Sequence, residues 1–124
     1  MKKQTVLLID DNRDILEAVQ LLLEDAGYIV QVIDNGDYAT HIDKNHLPDV
    51  IFLDMLLSGC DGRTIIHQFK TREDTKHIPI ILNSAHPQAK NFWTSSGADD
   101  FIAKPFDIDA LLALIQKHVR KTLP

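Results

Sequence analysis

Ile51-Phe52-Leu53-Asp54-Met55 decides how this chain is read. Four of the five residues are apolar, and the run delivers a single carboxylate, Asp54, near its end. A turn-rich stretch, Leu56-Leu57-Ser58-Gly59-Cys60-Asp61-Gly62, follows directly. A short apolar run bounded by turn residues reads as a fully buried strand. Pro48-Asp49 opens it, so the strand is expected over Val50–Asp54.

Outward from that strand, the chain alternates between two periods. Thr5–Ile9 (Thr-Val-Leu-Leu-Ile) is a second buried strand, ending abruptly in Asp10-Asp11-Asn12. Ile15, Val19, Leu22, Leu23 and Ala26 then recur at helical spacing, with Asp11 or Asn12 as N-cap and Gly27 as the left-handed terminator. Tyr28–Ile33 is β-branched and reads as a strand; Gly36 to about Asn45 reads as a weaker, polar helix. Past the central strand, Ile65, Ile66 and Phe69 mark a helix ending near Arg72, after the Asp61-Gly62 turn signal. Pro79–Leu82 is a further buried strand leading into Asn83-Ser84-Ala85. Phe101–Ala103 is the last strand, followed by Lys104-Pro105 and a helix capped by Asp107 that carries Ile108, Leu111, Leu112, Ile115 and Val119 on one face.

Five alternations of strand and helix predict a parallel sheet covered by helices on both faces, because parallel neighbours need crossover connections. Crossovers of one hand bring all the strand C-termini to one edge, where open α/β sheets bind ligands. Asp10, Asp11, Asp54, Ser84 and Lys104 are expected to converge there. Carboxylates brought together repel, and a divalent cation removes the conflict. Mg2+ suits best, since it prefers oxygen, keeps waters and takes one or two carboxylates plus a phosphate oxygen. With the Lys104 ammonium and the Ser84 hydroxyl, the set can bind a phosphoryl group, and its nucleophile must be a carboxylate.

Bulk properties bound the remaining possibilities. A chain of 124 residues, 44% hydrophobic and 25% charged, is expected to form one domain over residues 1–124. Its net charge of −5 argues against non-specific nucleic-acid binding, which needs a basic surface. No apolar run is long enough to cross a bilayer, and the Val6–Ile9 run is too short for a signal peptide. One cysteine excludes an internal disulfide; together these features lead one to expect a cytoplasmic protein. His41, His46, His67, His77, His86 and His118 lack metal-ligand spacing and read as surface or helix-face residues. Cys60 and Trp93 read as packing residues.

Four segments together resemble the response-regulator receiver domain of two-component signalling. They are Val6–Asp11, Ile51–Gly62, Pro79–Ala85 and Gly97–Phe106. The resemblance covers essentially the whole chain; if the chain is entire, the expected kind is the stand-alone, chemotaxis-regulator-like one, and if it is a piece of a longer protein, an output domain lies elsewhere. It implies a three-layer, flavodoxin-like (βα)5 fold with strand order 2-1-3-4-5. It further implies that Asp54 accepts a phosphoryl group from a sensor histidine kinase or histidine phosphotransfer protein. Mg2+ would be bound by Asp11 and Asp54, by the Leu56 backbone carbonyl, and by Asp10 mainly through water. Lys104, followed by a cis bond to Pro105, would hold a phosphoryl oxygen. Ser84 and Phe101 would form the switch, with Phe101 turning inward as Ser84 moves onto the phosphoryl group. Ile15 and Ala18 become candidate kinase contacts. Such a protein is a switch that assists its own phosphorylation and dephosphorylation, not a turnover enzyme.

The chain also departs from the family pattern. Ser84 and Lys104 are 20 residues apart, fewer than the pattern leads one to expect, so the fourth helix should be short, shifted or irregular. Ser58 stands where proline is usual, and Leu56 and His86 occupy positions that vary in the family and tune phosphoryl lifetime. Two rival functions follow. One is a phosphatase-type hydrolase resembling haloacid-dehalogenase-like enzymes, which Asp10-Asp11-Asn12 does not match because those carry Asp-x-Asp. The other is a receiver-like interaction module that no longer depends on phosphorylation.

Overall fold

The computed structural model describes residues 3–34, 45–57 and 60–122. In chain order the main elements are β1 (Thr5–Ile9), α1 (Arg13–Asp25), β2 (Ile29–Ile33), β3 (Val50–Asp54), β4 (Leu56–Leu57), β5 (Cys60–Asp61) and α2 (Gly62–Thr71). There follow β6 (Ile80–Ser84), α3 (Ala89–Phe92), β7 (Asp100–Ala103) and α4 (Ile108–Thr122). Five strands form one sheet in the order β2-β1-β3-β6-β7, every pair parallel. Numbered as sheet strands alone, that order is 2-1-3-4-5, as expected. β4 and β5 form a separate two-residue antiparallel ladder beyond the end of β3.

Side-chain alternation along the strands builds two cores. Leu7, Ile9, Ile51, Leu53, Ile80 and Leu82 face α2 and α3, where they meet Ile65, Ile66, Phe69 and Ala89. Val6, Leu8, Val50, Phe52 and Ile81 face the other way, against Leu16, Val19 and Leu23 of α1 and Leu111, Ile115 and Val119 of α4. β1, β3 and β6 are therefore covered on both sides, which is why they read as unbroken apolar runs.

Helix α1 starts on Asn12, whose side-chain oxygen accepts from the Asp14 and Ile15 N–H groups at 3.0 and 3.3 Å. It closes in a Schellman arrangement. Tyr28 N–H donates to the Leu23 carbonyl and Gly27 N–H to the Glu24 carbonyl, with Gly27 at φ +102°. Its buried face differs from the expected one. Leu16 is buried, whereas Leu22 is 45% exposed and Ala26 is the exposed cap residue. Leu21-Leu22-Leu23 spans nearly a full turn, so periodicity alone cannot say which leucine faces inward.

Other strand boundaries move as well. β6 begins one residue late, at Ile80, and runs on through Asn83 and Ser84, both buried, where the chain was expected to have left the sheet. β7 begins one residue early, at Asp100, and β2 one residue late, at Ile29. Between Ser84 and β7 the helix is a single turn, Ala89–Phe92, followed by a 3₁₀ turn over Trp93–Ser96, the short and irregular segment the spacing implied. The helix expected over Gly36 to about Asn45 falls on residues 35–44, outside the described ones, as do Ser58 and the packing of the Cys60 side chain.

Candidate functional site

The strand ends at one edge of the sheet carry the polar residues, and backbone hydrogen bonds hold those ends in register. Asp10 N–H donates to the Ile33 carbonyl at 3.2 Å, Met55 N–H to the Asn83 carbonyl at 2.9 Å, and Lys104 N–H to the Ser84 carbonyl at 2.9 Å. Each of these bonds ties a residue at or beside the site to the neighbouring strand. The loops start from fixed points.

Asp54 closes β3 and is buried, and Asp10 follows β1 and is buried as well, while Asp11 is exposed. One carboxylate oxygen from each of the three lies within 4.8 Å of the other two. Lys104 reaches across from the end of β7. Its Nζ stands 3.3 Å from Asp10 Oδ2 and 3.4 Å from Asp54 Oδ1. Asp10 and Asp54, the two that Lys104 meets, are also the two screened from water, and buried charges need compensation. An acidic cluster of this size, all oxygen donors with one side open to solvent, fits a hard divalent cation. Asp10 is further oriented by the Asn12 N–H, which donates to its Oδ1 at 2.9 Å.

The loop after Asp54 is pressed against the strand end. Leu56 pairs with Asp61 and Leu57 with Cys60, which brings the chain back to Gly62. Gly62 N–H donates to the Met55 carbonyl at 2.7 Å. A Cβ on Gly62 would stand 2.8 Å from the Asp54 carbonyl oxygen, 2.8 Å from Met55 Cα and 2.9 Å from the Met55 carbonyl oxygen. Only glycine admits that approach. Asp61 caps α2 through the Arg63 N–H, and hydrogen bonding from the Arg63 side chain holds its carboxyl below the usual range.

Ser84 ends β6, with its hydroxyl oxygen accepting from the His86 N–H at 2.9 Å. Phe101, the second residue of β7, is half-buried with its ring stacked on Trp93, centroids 6.1 Å apart and planes 13° apart. The Lys104–Pro105 peptide is cis. Asp10, Asp11, Asp54 and Lys104 are thus brought together; Ser84 lies on the same edge, and Phe101 lies on the adjoining strand against the 3₁₀ turn. The backbone of Leu56 is placed in the loop directly beyond Asp54. Ile15 is half-buried on α1 and Ala18 exposed.

Two further residues at this edge carry little signal of their own in the sequence. Gly62 read only as part of a turn signal, and Asn83 only as part of the stretch after a strand. Outside the site, His118 is buried in α4 with its Nε2 3.1 Å from Asp100 Oδ2, so it lies on the inner face of the helix rather than at the surface.

Residues 6–116 match the response regulator receiver domain family, and the chain belongs to it. It is 36% identical over 119 residues to the DNA-binding dual master transcriptional regulator RpaA of Synechocystis, covering 94% of this chain and 49% of that protein. The chain thus spans about half the length of such curated relatives. A putative response regulator from Chloroflexus aurantiacus superposes with a TM-score of 0.88 at 31% identity, over 96% of this chain and 99% of its own. The receiver domain of the sensor histidine kinase PA1611 from Pseudomonas aeruginosa, described with a magnesium ion coordinated in its active-site cleft, superposes with a TM-score of 0.86 at 25% identity. That match covers 95% of this chain and 98% of the other. The family is one of signalling switches, and the hydrolase alternative falls with that assignment. Among the described residues, no helix is long and apolar enough to cross a membrane.

Proposed function

We propose that this receiver is a phosphorylation-dependent switch that accepts a phosphoryl group on Asp54 from a phosphohistidine of a sensor histidine kinase or phosphotransfer protein. The observation that carries the proposal is the convergence of Asp10, Asp11 and Asp54 with Lys104 at the C-terminal edge of the sheet. A carboxylate oxygen of Asp54 attacks phosphorus, the P–N bond to the donor imidazole breaks, and the imidazole leaves with its electron pair and takes up a proton. Asp11 and Asp54, with the Leu56 carbonyl and Asp10 through water, would hold Mg2+, which supplies charge neutralisation for the transferring phosphoryl oxygens. Support for the ion comes from the oxygen-only donor set here and from the magnesium described in the PA1611 receiver.

Lys104 is placed to exchange its carboxylate partners for a phosphoryl oxygen. Ser84 then leaves the His86 N–H and donates its hydroxyl proton to the phosphoryl group. Phe101 leaves Trp93 and turns into the space released. Phosphorylation acts as a local charge event that biases a two-state element. Of the two variable positions beside the site, Leu56 has an apolar side chain that cannot orient an attacking water, so the lifetime of the acyl phosphate is tuned there. The charge of −5 argues against non-specific nucleic-acid binding by the receiver itself, and Ile15 and Ala18 are proposed to meet the kinase.

The one-turn α3 and its 3₁₀ extension favour, as a second reading, an interaction module independent of phosphate. Transfer of label from a radiolabelled phosphohistidine phosphotransfer protein separates the two. Mg2+-dependent labelling, abolished in Asp54→Asn, is expected for the switch. No labelling at all would leave the interaction module.

A further inference from the structure

Asn83 is a buried polar residue on β6, beside Asp54 in the sheet. It is 1% exposed, and among the described residues neither its side-chain oxygen nor its side-chain nitrogen has a hydrogen-bond partner. An amide removed from water without partners is costly, and such groups are rare enough in folded proteins that each calls for a reason. The position is not incidental. Asn83 pairs in register with Asp54 on one side and with Ile102 on the other. Its backbone carbonyl accepts from the Met55 N–H, directly after Asp54, and the next residue is Ser84. By strand alternation it continues the row formed by Phe52 and Ile81, whose register pairing precedes that of Asp54 and Asn83. The unpartnered amide therefore lies in the same layer as the Asp54 side chain, with apolar packing beneath it.

A leucine would fill this place in a core strand without the amide's penalty. We propose that Asn83 is a positioning residue whose amide is unsatisfied in the unphosphorylated protein and gains hydrogen bonds when Asp54 carries a phosphoryl group. The penalty in one state and its relief in the other shift the equilibrium toward the phosphorylated arrangement, because a ligand gains whatever differential free energy separates the two states. The inference rests on Asp54 being the phosphoacceptor. A buried amide with a purely structural role would affect both states alike.

The test is beryllofluoride, a phosphoryl mimic, titrated with Mg2+ by calorimetry into wild type, Asn83→Leu and Asn83→Thr, alongside urea unfolding of each without ligand. Asn83→Leu is expected to raise the unfolding midpoint of the free protein and to weaken beryllofluoride binding by about tenfold, equivalent to about 1.4 kcal/mol. Asn83→Thr keeps a donor and an acceptor and is expected to bind close to wild type. If the leucine does not fold, Asn83→Val carries the same expectation with a smaller side chain. A leucine or valine variant that is stabilised yet binds as tightly as wild type would overturn the proposal. So would one that is destabilised while folded, since the amide would then have a partner in the free protein. Failure of wild type to bind beryllofluoride would instead overturn the phosphoacceptor reading, and this proposal with it.

Discussion

Replacing Gly62 by alanine tests whether the site depends on the close approach of two backbone segments. The added Cβ meets three atoms at 2.8–2.9 Å, all of them backbone: the Asp54 carbonyl oxygen, Met55 Cα and the Met55 carbonyl oxygen. No flexible side chain is available to move aside, so either the end of β3 or the start of α2 must shift. The 2.7 Å hydrogen bond from Gly62 to Met55 is strained by the same displacement. Overpacking in a well-packed region costs about 1–3 kcal/mol, and clashes with backbone alone put this substitution at the upper end. For a domain of this size about 1 kcal/mol corresponds to roughly 4 °C in Tm, so a loss of about 10 °C is expected. The assay is thermal unfolding followed by far-UV circular dichroism, paired with the rate of modification by a small phosphodonor in Mg2+. The rate should fall as well, because the shifted peptide belongs to Asp54 and Met55. Gly27→Ala is the control. Gly27 has φ +102° with nothing within 4 Å of its Cβ position, so only the left-handed backbone is penalised, by about 1 kcal/mol. That variant should melt slightly lower and react at the wild-type rate. A Gly62→Ala protein that melts and reacts like wild type would refute the reasoning.

Other perturbations follow from single contacts. Burial pushes the Asp100 carboxyl up, but hydrogen bonds from the Phe101 N–H, His118 and Lys117 outweigh it and leave the group below its ordinary value of 3.8. A carboxylate with a depressed folded-state pKa contributes stability that is present above 3.8 and is lost as pH falls through the folded-state value. Urea midpoints of wild type and Asp100→Asn should therefore differ at neutral pH and converge in acid. Asn12→Ala removes the acceptor for the Asp14 and Ile15 N–H groups and should cost about 1 kcal/mol in chemical denaturation. Trp93 stacks on Phe101, so its fluorescence should change when beryllofluoride and Mg2+ are added to wild type and stay constant in Asp54→Asn. Trp93→Ala should lose about 0.5–1.5 kcal/mol from the aromatic pair, beyond the area it exposes.

Much of this architecture was legible because β1, β3 and β6 are buried on both faces. Unbroken apolar runs followed by turn residues leave few other readings, and the polar residue ending each run marks the edge where the candidate site lies. Asp10, Asp54 and Lys104 were visible for that reason. Leu22 misled because three consecutive leucines satisfy a helical face in more than one rotation, and only the packing of Leu16 and Leu23 chooses among them. The length of β6 was missed because Asn83 and Ser84 are polar, and polar residues after an apolar run ordinarily mean that the strand has ended. Gly62 could have been noticed from Asp61-Gly62 falling just after the strand-end carboxylate, but its role depends on how the returning loop meets Met55. The Asp100–His118 pair joins residues 18 apart in sequence across a strand and a helix. No local pattern encodes it.

The central claim is that Asp54 takes a phosphoryl group with the help of Mg2+. Intact-protein mass after incubation with a small-molecule phosphodonor tests it most directly, in wild type and Asp54→Asn, with Mg2+ and with a chelator. The account requires one added phosphoryl group on wild type, dependent on Mg2+ and absent from the variant. An adduct of the same mass on Asp54→Asn would contradict it by placing the nucleophile elsewhere, and no adduct on either protein would contradict the switch itself.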